Sequence, residues 1–117
     1  MNISEAAEKS GLTAVTLRYY ERIGLIPPVT RGNGGVRLFN ESDLGWIEFI
    51  KCMRNAGLSI ESLIEYTALF DQGKETVIAR KDILIEEQKK LQERYDELGI
   101  TLEKLNKKIE HYEQDHF

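Results

Sequence analysis

Apolar residues recur at helical spacing along most of this chain, in short segments over the first half and in one long segment over the second. The first segment, residues 1–10, has Asn2 or Ser4 as its N-cap. The next begins at Thr13, a good N-cap, and ends at Gly24, a good helix C-terminal signal. Two short helices joined by a tight turn that contains glycine predict a helix-turn-helix, although such pairs also occur in non-binding helical bundles.

The second of these helices has an apolar side and a basic side. Its period places Leu17, Tyr20 and Gly24 together. The opposite side carries the candidates for contact with DNA, namely Val15, Arg18, Tyr19 and Arg22. Guanidinium and phenol groups suit phosphate oxygens and groove edges, and the second helix of such a motif enters the major groove. A surface helix whose arginines are merely solvated is the alternative.

A β-hairpin is predicted next, after two prolines that cannot continue a helix. Residues 29–31 and 36–39 form its strands, and the Asn-Gly step within residues 32–35 supplies the positive φ values of the turn. Arg31 and Arg37 flank this turn. A basic hairpin directly after a helix-turn-helix is interpreted as a wing that reaches the DNA backbone beside the major groove; a plain structural hairpin is the alternative.

Two more helices are predicted at residues 40–55 and 59–70, with Asn40 and Ser59 as their N-caps and Gly57 between them. The first has an apolar arc at i, i+3, i+4, i+7 spacing, which is interpreted as core with no cofactor role: Trp46, Phe49, Ile50 and Met53.

After a short linker, residues 71–73, the apolar residues of the last segment follow a heptad repeat. One series of apolar residues recurs every seven residues: Leu84, Leu91, Leu98, Leu105 and Tyr112. A second series lies four residues after three of these: Tyr95, Leu102 and Ile109. This pattern predicts a coiled-coil helix of roughly 60 Å over residues 74–117. A solitary helix would leave this stripe in water, so a second copy of the chain is expected to cover it.

The composition is typical of a soluble globular domain, with 41% hydrophobic and 31% charged residues among 117. Neither a signal peptide nor an apolar run near the roughly 20 residues of a membrane span is present in the sequence. The single cysteine, Cys52, cannot form an internal disulfide, so a reducing cytoplasm is the expected location and no membrane partner is expected.

Charge is distributed unevenly along the chain. The net charge is −4, but residues 1–58 carry 7 basic and 6 acidic residues against 9 and 14 in residues 59–117. Between Lys9 and Asn40 there are five basic residues and one acid, Glu21. This local positive charge is what phosphate binding requires.

An enzyme is not expected. The sequence has no paired nucleophile and base, no Gly-rich phosphate loop and no metal cluster, and both histidines lie near its end. No cofactor and no metal are therefore predicted. A coiled-coil adaptor that never binds DNA is the other alternative, but it leaves the local basic region unexplained.

These parts together resemble the MerR family of transcriptional regulators. The resemblance rests on I-S-E-A-A, on T-L-R-Y-Y-E-R-I-G-L-I-P-P, on G-G-V-R-L-F, on the E-S-D-L helix and on G-L-S-I-E. It covers residues 2–70 closely and the long helix by architecture, and it is to short members without an effector domain. Val36 and Phe39 stand where many members have tyrosines, which removes possible phenol contacts to phosphate.

The resemblance implies a homodimer joined by antiparallel long helices, with each winged helix-turn-helix reading half of a pseudo-palindromic operator. It implies activation by distortion of a promoter whose spacer is too long, so that RNA polymerase can engage both promoter elements. Matching motif positions gives these contacts: Thr13, Thr16, Arg18, Tyr19 and Tyr20 from the recognition helix, with Arg37 and Arg31 from the wing. For Tyr20, which the helical period places inward, packing is the alternative.

The cysteine content bears on the inducing signal. Metal-sensing members carry several cysteines around the long helix, whereas this sequence has only Cys52, so metal sensing by that route is not expected. Aldehyde- and nitrosative-stress regulators (AdhR-like, NmlR-like) also place a cysteine on the helix after the wing. Cys52 is therefore the candidate sensor of electrophiles, with Lys51 and Arg54 as cations that favour its thiolate and Glu48, one turn back, as an acid that opposes it. An inert, semi-buried cysteine, a non-thiol signal and a simple repressor remain the alternatives.

The predicted fold class is mainly α. It comprises a winged helix-turn-helix DNA-binding domain with a small β-hairpin wing at 1–70, a linker at 71–73 and a long coiled-coil dimerisation helix at 74–117.

Overall fold

The computed structural model describes residues 1–114, which form five α-helices and one two-stranded hairpin. The elements are α1 (Ile3–Ser10), α2 (Ala14–Arg22), β1 (Thr30–Arg31), β2 (Arg37–Leu38), α3 (Glu41–Asn55), α4 (Ile60–Asp71) and α5 (Val77–Glu113). The mainly helical, winged helix-turn-helix prediction is confirmed. In the part of the chain described, no helix is both long and apolar enough to cross a bilayer.

Side chains at the predicted caps start the helices. Asn2, rather than Ser4, accepts a hydrogen bond from the Glu5 amide at 2.9 Å, and the Glu5 carboxylate accepts one from the Asn2 amide at 3.0 Å. Asn40 and Asp43 form the same reciprocal pair at the start of α3, both at 2.9 Å. Each capping box satisfies amides that would otherwise lack partners, so these helix starts are fixed locally.

Helix α2 ends in a Schellman motif at Gly24, whose φ is 84°. The Leu25 amide donates to the Tyr20 carbonyl at 2.9 Å and the Gly24 amide donates to the Glu21 carbonyl at 3.2 Å. The chain then turns into the core, where Leu25 and its neighbour Ile26 are buried. This turn fixes the direction in which the chain leaves α2 for the hairpin.

The core is centred differently on α3 from the sequence expectation. Ile47 and Ile50 are fully buried in it, whereas Trp46, Phe49 and Met53 are only partly buried at its margin. The predicted arc therefore packs on the core, but the centre of the core is displaced toward Ile47. The physical reason is that α3 packs on two sides. Beside the core, its aromatic side chains form a separate cluster with those of α4. Its ring centroids lie 5.8 Å apart for Trp46–Tyr66, 5.0 Å for Trp46–Phe70 and 6.0 Å for Phe49–Tyr66.

The hairpin is shorter than predicted, with two residues in each strand and a 3₁₀ turn at Asn33–Gly35. Its antiparallel register pairs Thr30 with Leu38 and Arg31 with Arg37. The Phe39 amide donates to the Met1 carbonyl at 2.7 Å, and the Phe39 side chain is buried. The base of the hairpin is thereby attached to the helical domain.

Helix α5 begins at Val77, three residues later than predicted, because residues Lys74–Thr76 form a 3₁₀ turn. The Thr76 hydroxyl donates to the Leu69 carbonyl at 2.6 Å, and the guanidinium carbon of Arg80 lies 5.2 Å from the Phe70 ring centroid. These contacts join the first turn of α5 to α4. The predicted end of the helix, residues 115–117, lies outside the described residues.

Candidate nucleic-acid interface

The N-terminus of α2 is organised by the two threonines predicted to contact DNA. The Thr13 hydroxyl oxygen accepts a hydrogen bond from the Thr16 amide at 3.1 Å, and the two hydroxyl oxygens lie 3.0 Å apart. Thr13 is exposed and Thr16 half-buried. This end of the helix, with the remaining free amides of its first turn, forms a short polar edge beside the outward face of α2.

The outward face of α2 carries the side chains that its period placed there. Val15 is 72% exposed and Tyr19 is 39% exposed, and both Arg18 and Arg22 are exposed. The Arg22 guanidinium carbon lies 5.5 Å from the Tyr19 ring centroid. This cation–π contact holds a positive charge and a phenol side by side on a helix that faces solvent.

Tyr20 differs from the other predicted contact residues because it is buried, with 8% of its surface exposed. Burial raises the pKa of its phenol, and the positive charge of Arg54 only partly opposes this. Of the two roles that the sequence left open for Tyr20, packing is the one that the structure supports. A DNA contact from Tyr20 stays a prediction that its burial disfavours.

Glu21 connects the recognition helix with the wing. Its carboxylate accepts hydrogen bonds from the Arg37 Nε at 2.7 Å and from the Val29 amide at 2.6 Å, and the Arg31 Nη2 lies 3.4 Å away. Arg31 also donates to the Gly35 carbonyl at 3.1 Å. Both wing arginines therefore make contacts within the protein, and one acid of α2 fixes where the wing lies.

The protonation of Glu21 follows from these contacts. Burial raises the pKa of its carboxyl, but the hydrogen bonds from Val29 and Arg37 and the charges of Arg37 and Arg31 outweigh burial and hold the pKa below its ordinary value. A depressed folded-state pKa stabilises the fold above the unfolded-state pKa of about 4.3. That stabilisation is lost as the pH falls through the folded-state value.

Glu21→Gln is therefore expected to lower the free energy of unfolding by about 1–3 kcal/mol at pH 7. The difference from wild type should shrink as the pH falls through the folded-state pKa of Glu21, because protonation then removes the same charge from wild type. Denaturant titrations at several pH values measure this, with Glu8→Gln, an exposed carboxylate, as the control. An equal loss of stability at neutral and strongly acid pH would contradict the role assigned to Glu21.

Cys52 is exposed on α3, but the two cations beside it in sequence make bonds elsewhere. Lys51 donates to the Ser10 carbonyl at 2.6 Å, and Arg54 donates to the Leu58 carbonyl at 2.6 Å. Each satisfies a carbonyl near the end of a helix or turn. The thiol is therefore accessible, whereas Lys51 and Arg54 make no hydrogen bond to it among the described residues.

The heptad seam of α5 lies mostly in solvent. Seven of its members are exposed, from 36% for Leu91 to 72% for Tyr95: Leu91, Tyr95, Leu98, Leu102, Leu105, Ile109 and Tyr112. Leu84, near the base, is half-buried and lines a groove together with Met53 and Leu58. An apolar stripe of this length along a helix is an interaction surface.

Sequence reasoning missed two charged residues that the structure gives a role. Glu21 was visible only as the single acid in a basic region, and its two arginines lie 10 and 16 residues away. Lys51 was interpreted through its neighbour Cys52, whereas its contact is with Ser10, 41 residues away. A solitary opposite charge within a charged region was the available signal for Glu21; none marked Lys51.

Comparisons with known proteins give the same assignment from three directions. Residues 1–69 match the family described as MerR HTH family regulatory protein. The HTH-type transcriptional regulator AdhR of Bacillus subtilis is 65% identical over 91 residues, which is 78% of this chain and 65% of AdhR. The aligned part thus spans slightly less than two thirds of that relative.

Two solved structures share the whole fold. A Listeria monocytogenes protein assigned to the MerR family of transcriptional regulators has a TM-score of 0.95 and 51% identity, covering 97% of this chain and 86% of that one. HiNmlR, a MerR family regulator lacking the sensor domain and bound to promoter DNA, has a TM-score of 0.86 and 31% identity, covering 97% and 90%. The chain belongs to the MerR family, whose members are DNA-binding transcriptional regulators and not enzymes.

Proposed function

We propose that this protein is a homodimeric regulator of the cytoplasm that binds a pseudo-palindromic promoter operator and activates transcription by distorting it. The observation that carries the proposal is the outward face of α2, where Arg18, Tyr19 and Arg22 are exposed on a fold that matches a promoter-bound regulator. A coiled-coil adaptor without DNA binding is disfavoured by the same match.

The contacts divide by chemistry. Arg18 and Arg22 supply positive charge to the phosphates on either side of the groove, and Val15 supplies an apolar surface for a thymine methyl group. The polar edge formed by Thr13 and Thr16 at the start of α2 suits a phosphate, because helix N-termini present free amides to anions. Tyr19 adds a phenol to the same backbone contacts.

The wing adds a second anchor on the backbone. Arg31 has a side chain that is 46% exposed, against 22% for Arg37. Because Nε of Arg37 is used by Glu21, its terminal nitrogens are the part proposed to meet a phosphate. Glu21 thereby presents both arginines in a fixed orientation, which lowers the entropy lost when the wing binds DNA.

The dimer follows from the exposed seam of α5. Two antiparallel copies would bury the stripe that one copy leaves in water and would place the two α2 helices at opposite ends of the assembly. Each α2 then reads one half-site. Bending and untwisting the spacer costs several kcal/mol, which the contacts of the two domains offset, and RNA polymerase then engages both promoter elements.

Cys52 is the proposed receptor of the signal, since it is an exposed thiol on the helix that follows the wing. Its modification by an aldehyde, a nitrosating agent or an oxidant would add a group between α3 and its surroundings and change the angle between the two DNA-binding domains. A non-thiol signal, or simple repression, would leave the DNA-binding assignment unchanged.

Transcription in vitro from the gene's own upstream promoter tests the proposal, with and without an aldehyde. Wild type is expected to activate at least several-fold more with the aldehyde than without it. Cys52→Ala is expected to bind the promoter equally well and to show no induction, because it lacks the nucleophile. Equal induction of both proteins would exclude Cys52 as the receptor; absence of promoter binding by wild type would exclude the regulator function itself.

A further inference from the structure

A buried carboxylate on α5 lacks a hydrogen-bond partner. Glu87 is 4% exposed, and its Oε1 accepts no hydrogen bond within the described residues. Lys90 Nζ lies 3.7 Å from that oxygen, beyond hydrogen-bond distance, on a side chain that is 57% exposed. A buried carboxylate is costly unless a cation or donors satisfy it, so the isolated chain leaves this site incomplete.

An open groove lies beside Glu87, between α5 and the end of α3. Its volume is about 350 Å³, and its walls are largely apolar, with Met53, Leu58, Leu84 and Leu91 among them. A smaller cavity of about 190 Å³ lies along Glu87 on its other side, where Ser59 and the cations Lys90 and Arg94 line it without donating a hydrogen bond to Oε1. The groove therefore fits an occupant that is apolar along one side and carries a cation that reaches Glu87.

The far end of α5 has these properties. Leu105, Ile109 and Tyr112 continue the exposed apolar seam there, and an exposed lysine, Lys108, lies beside them. Lys108 follows Glu87 by 21 residues, or three heptads, so both residues lie on the same flank of the seam. The two are about 31 Å apart along one helix, so they cannot pair within a chain.

An antiparallel arrangement brings these two residues together. The seam runs from Leu84 to Tyr112, so its centre lies at Leu98. When two antiparallel copies cross at their centres, the position opposite Glu87 is within about one residue of the partner's Lys108, at each end of the pair. A parallel arrangement in register would instead keep Glu87 and the partner's Lys108 three heptads apart.

We propose that the last turns of the partner's α5 occupy this groove and that the partner's Lys108 pairs with Glu87, once at each end of the dimer. The inference rests on the proposed antiparallel dimer and specifies its register. It assigns a cation to the unsatisfied Oε1, and it gives the groove a single occupant. Because Met53 lines the groove and follows Cys52, the partner's helix also lies against the helix that carries the thiol.

Two complementary variants test the pairing. Chains with Glu87→Lys place lysine opposite lysine in their homodimers, and chains with Lys108→Glu place glutamate opposite glutamate. Mixing the two chains restores an opposite-charge pair at both ends of the heterodimer. Native mass spectrometry of an equimolar mixture is expected to show about 90% heterodimer or more, against the half expected from random exchange.

A matched control uses Glu103→Lys mixed with Lys107→Glu. These residues pair within one chain at 3.4 Å and lie on the side of α5 away from the seam, so their mixture is expected to exchange at random. Random exchange in the Glu87 and Lys108 mixture, with wild type dimeric, would overturn the pairing and leave the dimer standing. A monomeric wild type would overturn the dimer of the proposed function.

A second measurement tests the pairing without Glu87→Lys, in case that variant does not fold. Lys108→Glu is exposed and is expected to weaken the dimer by about tenfold or more. The same change in a Glu87→Gln background is expected to weaken it by about threefold at most, because the opposing carboxylate is gone. Equal weakening in both backgrounds, measured by analytical ultracentrifugation, would overturn the pairing.

Discussion

Leu98→Asp is expected to convert the protein from dimer to monomer at micromolar concentration. Leu98 is 65% exposed in the single chain and lies at the centre of the seam, where the two copies cross in the proposed dimer. The substitution would bury two carboxylates close together in an apolar contact. We expect the dimer Kd to rise by at least about 100-fold, which corresponds to about 3 kcal/mol. Sedimentation equilibrium measures the change.

Ile100→Asp is the control for this prediction. Ile100 is 56% exposed and only two residues from Leu98, but it lies on the other side of α5. It should leave the dimer intact, while circular dichroism should show helical content unchanged in both variants. A wild-type protein that is already monomeric, or a Leu98→Asp protein that remains dimeric, would contradict the assignment of the seam.

Arg18→Ala is expected to weaken operator binding severely at physiological salt while leaving the dimer intact. Arg18 is exposed on the outward face of α2. Loss of a groove or phosphate contact costs about 1–3 kcal/mol. The proposed dimer loses the contact in both half-sites, so affinity should fall by roughly 30-fold to more than 1,000-fold. Fluorescence anisotropy with labelled operator at several salt concentrations gives both the affinity and the salt slope.

The salt dependence distinguishes the role of Arg18 from a loss of folding. Removing a phosphate contact should reduce the steepness with which affinity falls as salt rises. Lys89→Ala, an exposed lysine of α5, is the control and should change neither affinity nor slope. Loss of the dimer in Arg18→Ala, or unchanged operator affinity, would show that α2 is not the recognition helix.

Features encoded by neighbouring residues were predictable from sequence. Hydrogen bonds that span only a few residues define the helix ends at Asn2, Asn40 and Gly24. These helix boundaries were therefore predictable from the local sequence. The helical period of α2 also predicted its inward and outward sides correctly, with Leu17 buried and Val15 exposed.

Features that depend on contacts distant in sequence were not predictable. Arg37 was expected on the wing surface, but Glu21 draws its guanidinium inward from 16 residues away. The centre of the core on α3 shifted to Ile47 because α4 adds a second apolar neighbour that the period of one helix does not encode. Glu87 lies beside the heptad seam in the sequence, and only the packing of α5 against Leu58 and Ser59 buries it.

The length of α5 makes it a lever arm. The helix has 37 residues, so it is about 55 Å long, and roughly 30 Å separate its base at Val77 from the seam centre at Leu98. In the proposed dimer, a tilt of about 5° at the crossing point would displace each DNA-binding domain by nearly 3 Å, close to the roughly 3.4 Å rise of one base pair. A modification too small to disturb the fold at the base of α5 can therefore move each recognition helix by a distance close to one base-pair step.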